Sequence, residues 1–224
     1  MKKLPISFDL DNTVFDVSSI YLKAWDAAQQ KKPKKTRGYP TRWDFHNDPF
    51  FPKDVGACLE KLFLAGELLN YNCSEALAEQ LNRLIDNPQY DVYFITDRNK
   101  EHDNYGQLLR NKIKVSKSHL ILSHDKHKSL AELGILIHCD DNPRVLESLS
   151  PRFQGTLPVL MSNAKTPYNH YLRGRALDFG EKKIKVPTYR NLSQALDDFD
   201  AIVDTLMKCL NIEKFLTPEK RGKK

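Results

Sequence analysis

Nowhere does the chain hold a run near the roughly 20 apolar residues a membrane helix needs, and its start, MKKLPISFDL, meets an aspartate too early for a signal sequence. The expectation is a soluble, cytoplasmic protein with no membrane partner. Its four cysteines, Cys58, Cys73, Cys139 and Cys209, are scattered and form no CxxC pair, which excludes a zinc ribbon or disulfide framework and predicts reduced core thiols. Internal repeats are missing, as are low-complexity tracts beyond two lysine clusters. Missing too is an evenly basic surface, although the net charge is +6. KKPKKTR (31–37) holds five basic residues and KRGKK (220–224) four; without these nine, 26 basic residues face 29 acidic ones. The basicity therefore belongs to one loop and one tail. A solvated loop and a frayed terminus explain it; guidance of anionic substrates or weak nucleic-acid contact is the alternative.

What is present suits one core with a smaller insertion: 224 residues, 40% hydrophobic and 10% aromatic. LPISFDL (4–10) reads as a short buried strand. Val17, Ile20, Tyr21, Ala24 and Ala28 then follow helical spacing. Residues 38–54, GYPTRWDFHNDPFFPKD, follow neither period and read as an ordered loop. Val55, Cys58, Leu59, Leu62 and Phe63 restore a helical stripe; Leu77, Leu81, Leu84 and Ile85 form another behind a Ser74 N-cap. Residues 17–87 are thus expected to be mostly helical.

Beyond Pro88 the pattern alternates. Strands are expected at 90–95, 119–122, 135–139 and 156–161, with helices at 104–113, 128–134 and 143–149 between them. One last helix should carry Leu192, Leu196, Phe199, Val203, Leu206 and Leu210 against the sheet. This alternation predicts an α/β fold with a parallel sheet flanked by helices, where ligands bind at the carboxyl ends of the strands.

Polar clusters follow these strands: Asp9, Asp11 and Thr13 after the first; Thr96, Asp97 and Arg98 after YDVYFI; Asp140, Asp141 and Asn142 after ILIHC; and SHDKHK (123–128) after HLIL. All should converge at one sheet edge. Acidic groups gathered from separate strands suit an oxygen-liganded cation that keeps waters, which points to Mg²⁺, and a lysine with a hydroxyl beside it suits phosphate. His124 and His127 sit three apart but without further soft ligands, so they read as surface groups, and His138 reads as a satisfied core histidine.

These motifs resemble those of the haloacid dehalogenase (HAD) superfamily phosphatases: DxDxT as Asp9–Thr13, a strand-ending Thr96, a lysine, and the acidic pair in HCDDNP, in that order over residues 4 to about 161. The resemblance implies a Rossmann-like core of residues 1–16 and 88–224 with a small helical cap at 17–87. It implies Asp9 as nucleophile, Asp11 as general acid and base, Thr96 and a lysine on the phosphoryl group, and Mg²⁺ held by Asp9, the Asp11 carbonyl, Asp140 and Asp141. Lys126 and Lys128 both precede the pair; HDK matches the spacing for Lys126. Asp97, Arg98, Trp43 and Phe45 are the expected substrate contacts. TPYNHY (166–171) with WDF in the cap resembles the 5'-nucleotidase, or 5'(3')-deoxyribonucleotidase, branch, which implies a nucleoside monophosphate as substrate. The other readings are a phosphatase of nucleic-acid ends or of another phosphometabolite, and a non-catalytic nucleotide-binding module.

Overall fold

A computed structural model describes residues 3–29, 38–152, 155–179 and 182–210, so both lysine clusters, 31–37 and 220–224, lie outside the described residues. The first strand, β1 (Leu4–Phe8), leads into helices α1 (Ser19–Gln29), α2 (Lys53–Leu64) and α3 (Glu75–Asp86). Then come β2 (Tyr90–Thr96), α4 (Asn104–Arg110), β3 (Leu120–Leu122), α5 (Lys126–Glu132), β4 (Ile137–Asp140), α6 (Pro143–Arg152) and β5 (Leu157–Met161). The chain continues through a hairpin, β6 (Ala176–Phe179) and β7 (Lys182–Lys185), then β8 (Thr188–Tyr189), α7 (Leu192–Asp197) and α8 (Phe199–Leu210).

Six strands form one parallel sheet in the order β3-β2-β1-β4-β5-β8. From β1 the chain builds outward through β2 and β3, then returns to place β4 on the other side of β1. That reversal opens a crevice at the carboxyl ends of β1 and β4, the place where such sheets bind ligands. Consecutive residues face opposite layers: Phe94 and Val159 join the cluster under α3, α4, α7 and α8, whereas Ile95 and Leu160 join the one under α5 and α6. Burial on both faces explains why these strands read as unbroken apolar runs.

The helices between β1 and β2 divide. α1 and α2 share a separate cluster of Ile20, Tyr21, Ala24, Trp25, Phe51, Val55 and Leu59, but Leu77, Ala78 and Leu81 of α3 pack in the sheet's own core. Most insertion aromatics therefore build local structure: Tyr21 and Trp25 meet Phe51 edge-on at 6.2 and 5.9 Å, and the Trp25 indole donates to the Gly38 carbonyl at 2.8 Å. The irregular loop 38–52 is stapled by buried Asp48, which accepts from the main-chain N–H groups of Arg42 (2.9 Å), Phe50 (2.8 Å) and Thr41 and from the Thr41 hydroxyl.

Several expectations need correction. The expected last helix is two, because Asp198, at φ −106°, caps α7 while its carbonyl accepts the first N–H bonds of α8, from Ala201 and Ile202. The buried stripe is accordingly Leu192, Ala195, Phe199, Ile202 and Leu206, with Leu196 and Val203 at its flank. α4 stops at Arg110 because Lys112 turns left-handed at φ +60°. α5 starts two residues early because Asp125 caps it, accepting from Lys128 N–H at 3.1 Å. The Ser74 cap on α3 is as expected, accepting from Leu77 N–H at 3.2 Å. Among the described residues no helix is long and apolar enough to cross a membrane.

Replacing Asp48 by Ala removes the one acceptor shared by three main-chain N–H groups and a hydroxyl, so Asp48→Ala is expected to lower unfolding free energy by about 2 kcal/mol in a urea titration, with Asp48→Asn losing less.

Candidate active site

Asp9 follows β1, its N–H continuing the ladder to the Cys139 carbonyl at 2.9 Å, which sets it beside Asp140 at the end of β4. Between the two carboxylates lies Lys126, the first residue of α5, with Nζ 2.7 Å from Asp9 Oδ1 and 2.8 Å from Asp140 Oδ2. Asp9, Lys126, Asp140 and Asp141 are all buried. Lys126 is thus the lysine brought to the cluster; Lys128 is exposed and 3.9 Å from Glu132.

The surroundings fix each group. His138 lies opposite Ser7 across the β1–β4 pair, and both are completely buried. Its Nε2 is 3.0 Å from Asp140 Oδ2 and its Nδ1 2.8 Å from Ser7 Oγ. Burial holds the ring below its ordinary pKa against the pull of Asp140. A neutral ring then donates from Nε2 to Asp140 and accepts the Ser7 hydroxyl at Nδ1. The histidine is satisfied, as expected, and orients Asp140. Asp140 Oδ1 also accepts from Asn142 N–H at 2.8 Å. Burial pushes the Asp140 carboxyl up, but Lys126 and His138 outweigh it and hold it below the ordinary range. The other two carboxyls go the opposite way. Burial, with Asp140 and Asp11 opposing the pull of Lys126, pushes Asp9 up to about 7. Burial and then the Asp140 and Asp9 charges push Asp141 well above its ordinary value. Burial alone would depress Lys126; Asp140 and Asp9 instead hold it raised.

The donor set fits a hard divalent cation. Oxygens of Asp9, Asp140 and Asp141 lie within 4.8 Å of one another, and three carboxylates face a single ammonium, which leaves two negative charges to be met. Soft ligands are no part of this cluster.

Asp11 belongs to a different arrangement. β1 ends at Phe8, so strand alternation no longer directs the side chains of Asp9 and Asp11; a tight turn with Asn12 at φ +53° and Asn12 N–H on the Phe15 carbonyl at 2.7 Å takes over. Asp11 pairs with buried Arg98 from the end of β2, with Nε 3.1 and 3.0 Å from its two oxygens and Nη2 2.5 Å from Oδ1. Arg98 is held in turn by Gln107 and Asn104 of α4, and Gln107 Nε2 donates to the carbonyls of Leu68 (2.9 Å) and Tyr71 (2.7 Å) at the exit of the insertion. Thr96 is buried at the end of β2, and Thr13 is buried with its hydroxyl unpartnered.

The remaining candidates are dispersed. Asp97 is exposed and pairs with His124, while His127 bonds Ser148 Oγ, so the two histidines do not form a metal pair. Phe45 packs on Phe51 at 6.0 Å in the insertion's cluster. Trp43 meets Tyr168 edge-on at 5.3 Å. Sequence reasoning missed the roles of Ser7, Asn12, Gln107, Tyr168 and Asn169, although Asn12 stands inside the Asp9–Thr13 motif and Tyr168 and Asn169 inside TPYNHY.

No family model matches the chain, and no curated protein matches it in sequence. Solved structures match it throughout. A haloacid dehalogenase-like hydrolase of Burkholderia xenovorans LB400 superposes at TM-score 0.56 and 8% identity, covering 91% of this chain and 99% of that one. A HAD family hydrolase of Deinococcus radiodurans R1, with bound phosphate and sodium, gives 0.55 at 15% identity over 91% and 96%. A hydrolase of Pseudomonas syringae gives 0.54 at 14% over 90% and 99%. At such low identities the likeness is one of fold, and the fold of this chain is the Rossmann-like α/β fold of the HAD hydrolases.

Proposed function

We propose that the protein is a Mg²⁺-dependent phosphomonoester hydrolase that works through an aspartyl-phosphate, with a nucleoside monophosphate as substrate. The observation that carries this reading is the convergence of Asp9, Asp140 and Asp141 around Lys126 at the β1–β4 crevice. A site this acidic repels any anionic substrate until a cation sits in it, and phosphate then meets both the cation and an ammonium. The Deinococcus protein, which shares the fold, holds phosphate and sodium.

Asp9, Asp140 and Asp141 are the residues that would hold Mg²⁺, together with the Asp11 carbonyl. When bound, the cation supplies positive charge that keeps Asp9 ionised and offsets charge on the phosphoryl oxygens. An Asp9 oxygen attacks phosphorus as the ester P–O bond breaks, and the leaving oxygen takes a proton from the Asp11 carboxyl. Water then attacks phosphorus, Asp11 takes its proton, and the Asp9–phosphorus bond breaks to release phosphate. For this Asp11 must turn from Arg98 toward the leaving oxygen. Lys126 and Thr96 meet the phosphoryl oxygens. The sheet core, with α3 packed in it, and the insertion's α1, α2 and loop 38–52 act as base and cap, with half-buried Trp43 beside Tyr168 as the surface for a base.

Asp9→Asn is expected to reduce phosphate release from a panel of nucleoside monophosphates at least a thousandfold while the far-UV spectrum stays unchanged; near-normal turnover would rule out the covalent route. A mononucleotide should be preferred to an end-phosphorylated oligonucleotide at both low and high salt. Preference for the oligonucleotide that collapses with salt would instead favour nucleic-acid ends.

Metal-free stability should depend on pH in a set direction. The folded Asp9 carboxyl titrates near 7 and Asp141 is raised as well, so between about pH 4 and 7 the folded chain binds protons that the unfolded chain has released. Stability therefore falls as pH rises through that window, by at most about 1.4 kcal/mol per pH unit for each such proton. Asp140, whose pKa is lowered, contributes stability that is lost only below the ordinary carboxylate range. Thermal melts with EDTA should show a declining Tm from pH 5 to 7.5, and Mg²⁺ should raise Tm more at the upper end than at the lower.

A further inference from the structure

Tyr168 and Asn169 are consecutive residues of a 3-10 turn (Pro167–Leu172) that follows β5, and the two clamp Asp141 from side chain and main chain at once. The Tyr168 hydroxyl donates to Asp141 Oδ2, while Asn169 Nδ2 donates to the Asp141 carbonyl at 2.8 Å and to the Met161 carbonyl at 2.9 Å. Ser162 Oγ donates to Asn169 Oδ1 at 2.6 Å, and Arg173 Nε donates to that Ser162 oxygen at 2.8 Å. Tyr168 and Asn169 are 2% and 0% exposed, so the clamp excludes solvent.

The direction of the Tyr168 bond is determined by its neighbours. Asn12 Nδ2 donates to the hydroxyl oxygen at 3.2 Å, which leaves the hydroxyl proton for Asp141. A carboxylate is the stronger acceptor, so the hydroxyl proton is directed to Asp141. Because Tyr168 occupies Oδ2, Asp141 has Oδ1 left to offer elsewhere. The ring itself is braced from the insertion, since Trp43 packs edge-on against it at 5.3 Å.

We infer that Tyr168 is a positioning residue that orients Asp141 toward the cation, and that Trp43 braces it, so that the insertion contributes to cation affinity through an aromatic contact. The inference rests on the function proposed above and adds to it a residue outside the four motifs. Ligating carboxylates held by outer hydrogen bonds characteristically lose ten- to a hundredfold in metal affinity when that partner is removed.

Titration calorimetry of the full chain with Mg²⁺ and no substrate tests it. Tyr168→Phe, which keeps the ring and its packing, should weaken Mg²⁺ about tenfold. The Mg²⁺ concentration for half-activation should rise by the same factor while KM for the phosphate ester stays unchanged. Tyr171→Phe serves as control: it removes an exposed hydroxyl from the same turn, bonded to Glu147, and should leave Mg²⁺ affinity as in the unaltered protein. Trp43→Leu, at a half-buried position that the fold tolerates more readily, should weaken Mg²⁺ a few-fold. Unchanged affinity in Tyr168→Phe overturns the inference alone, as does equal weakening in Tyr171→Phe. If the unaltered protein takes up no Mg²⁺, the inference falls together with the proposed function.

Discussion

Everything at the carboxyl edge of the sheet depends on one buried ammonium. Lys126 stands between Asp9 and Asp140, and without it three carboxylates would crowd a site closed to water. Burying one uncompensated charge costs several kcal/mol, so the geometry of α5 that delivers Lys126 is a condition for the rest. The Asp125 cap starts α5 one residue before Lys126, and the register of β1 against β4 brings Asp9 and Asp140 side by side. Yet one ammonium cannot neutralise three carboxylates. Burial first, and then the neighbouring carboxylates, raise Asp9 and Asp141, and the negative charge left unmet suits the site to a cation.

The site separates two kinds of acid. Asp9 and Asp140 share the ammonium, with Asp141 beside them on Tyr168; Asp11, two residues from Asp9, has its own cation in Arg98. Arg98 is anchored by Gln107, which in turn grips the main chain at the exit of the insertion. Two routes therefore tie the insertion to the site, one through Gln107 and Arg98 to Asp11, the other through Trp43 and Tyr168 to Asp141. A movement of α1 and α2 relative to the sheet would be felt at both.

The parallel sheet was legible because strands buried on both faces leave unbroken apolar runs, and the four polar clusters were legible because each stands directly behind such a run. Helix ends were less so. The break at Asp198 lies inside a stripe whose three- and four-residue spacing continues through it, so periodicity alone could not reveal two helices. β8, at two residues, and the β6–β7 hairpin, at four residues a strand with three lysines in β7, are too short and too polar to stand out by alternation. Within the site, Lys126 was distinguishable from Lys128 only by spacing; the structure separates them by the direction each takes from the first turn of α5, Lys126 into the buried carboxylates and Lys128 toward solvent and Glu132.

Longer-range partners were beyond sequence reading for a physical reason. Hydrogen bonds such as Gln107 to the Leu68 and Tyr71 carbonyls join a side chain to main-chain atoms, and a carbonyl carries no residue identity. The same holds for Asn169 on the Asp141 and Met161 carbonyls. His138 is the instructive case. Its residue type alone allows a ligand, an acid or a core filler; only the cross-strand pairing with Ser7 on one nitrogen and Asp140 on the other assigns it. A neutral imidazole there orients Asp140 without adding a second positive charge beside Lys126, so the deficit of positive charge that invites a cation is preserved.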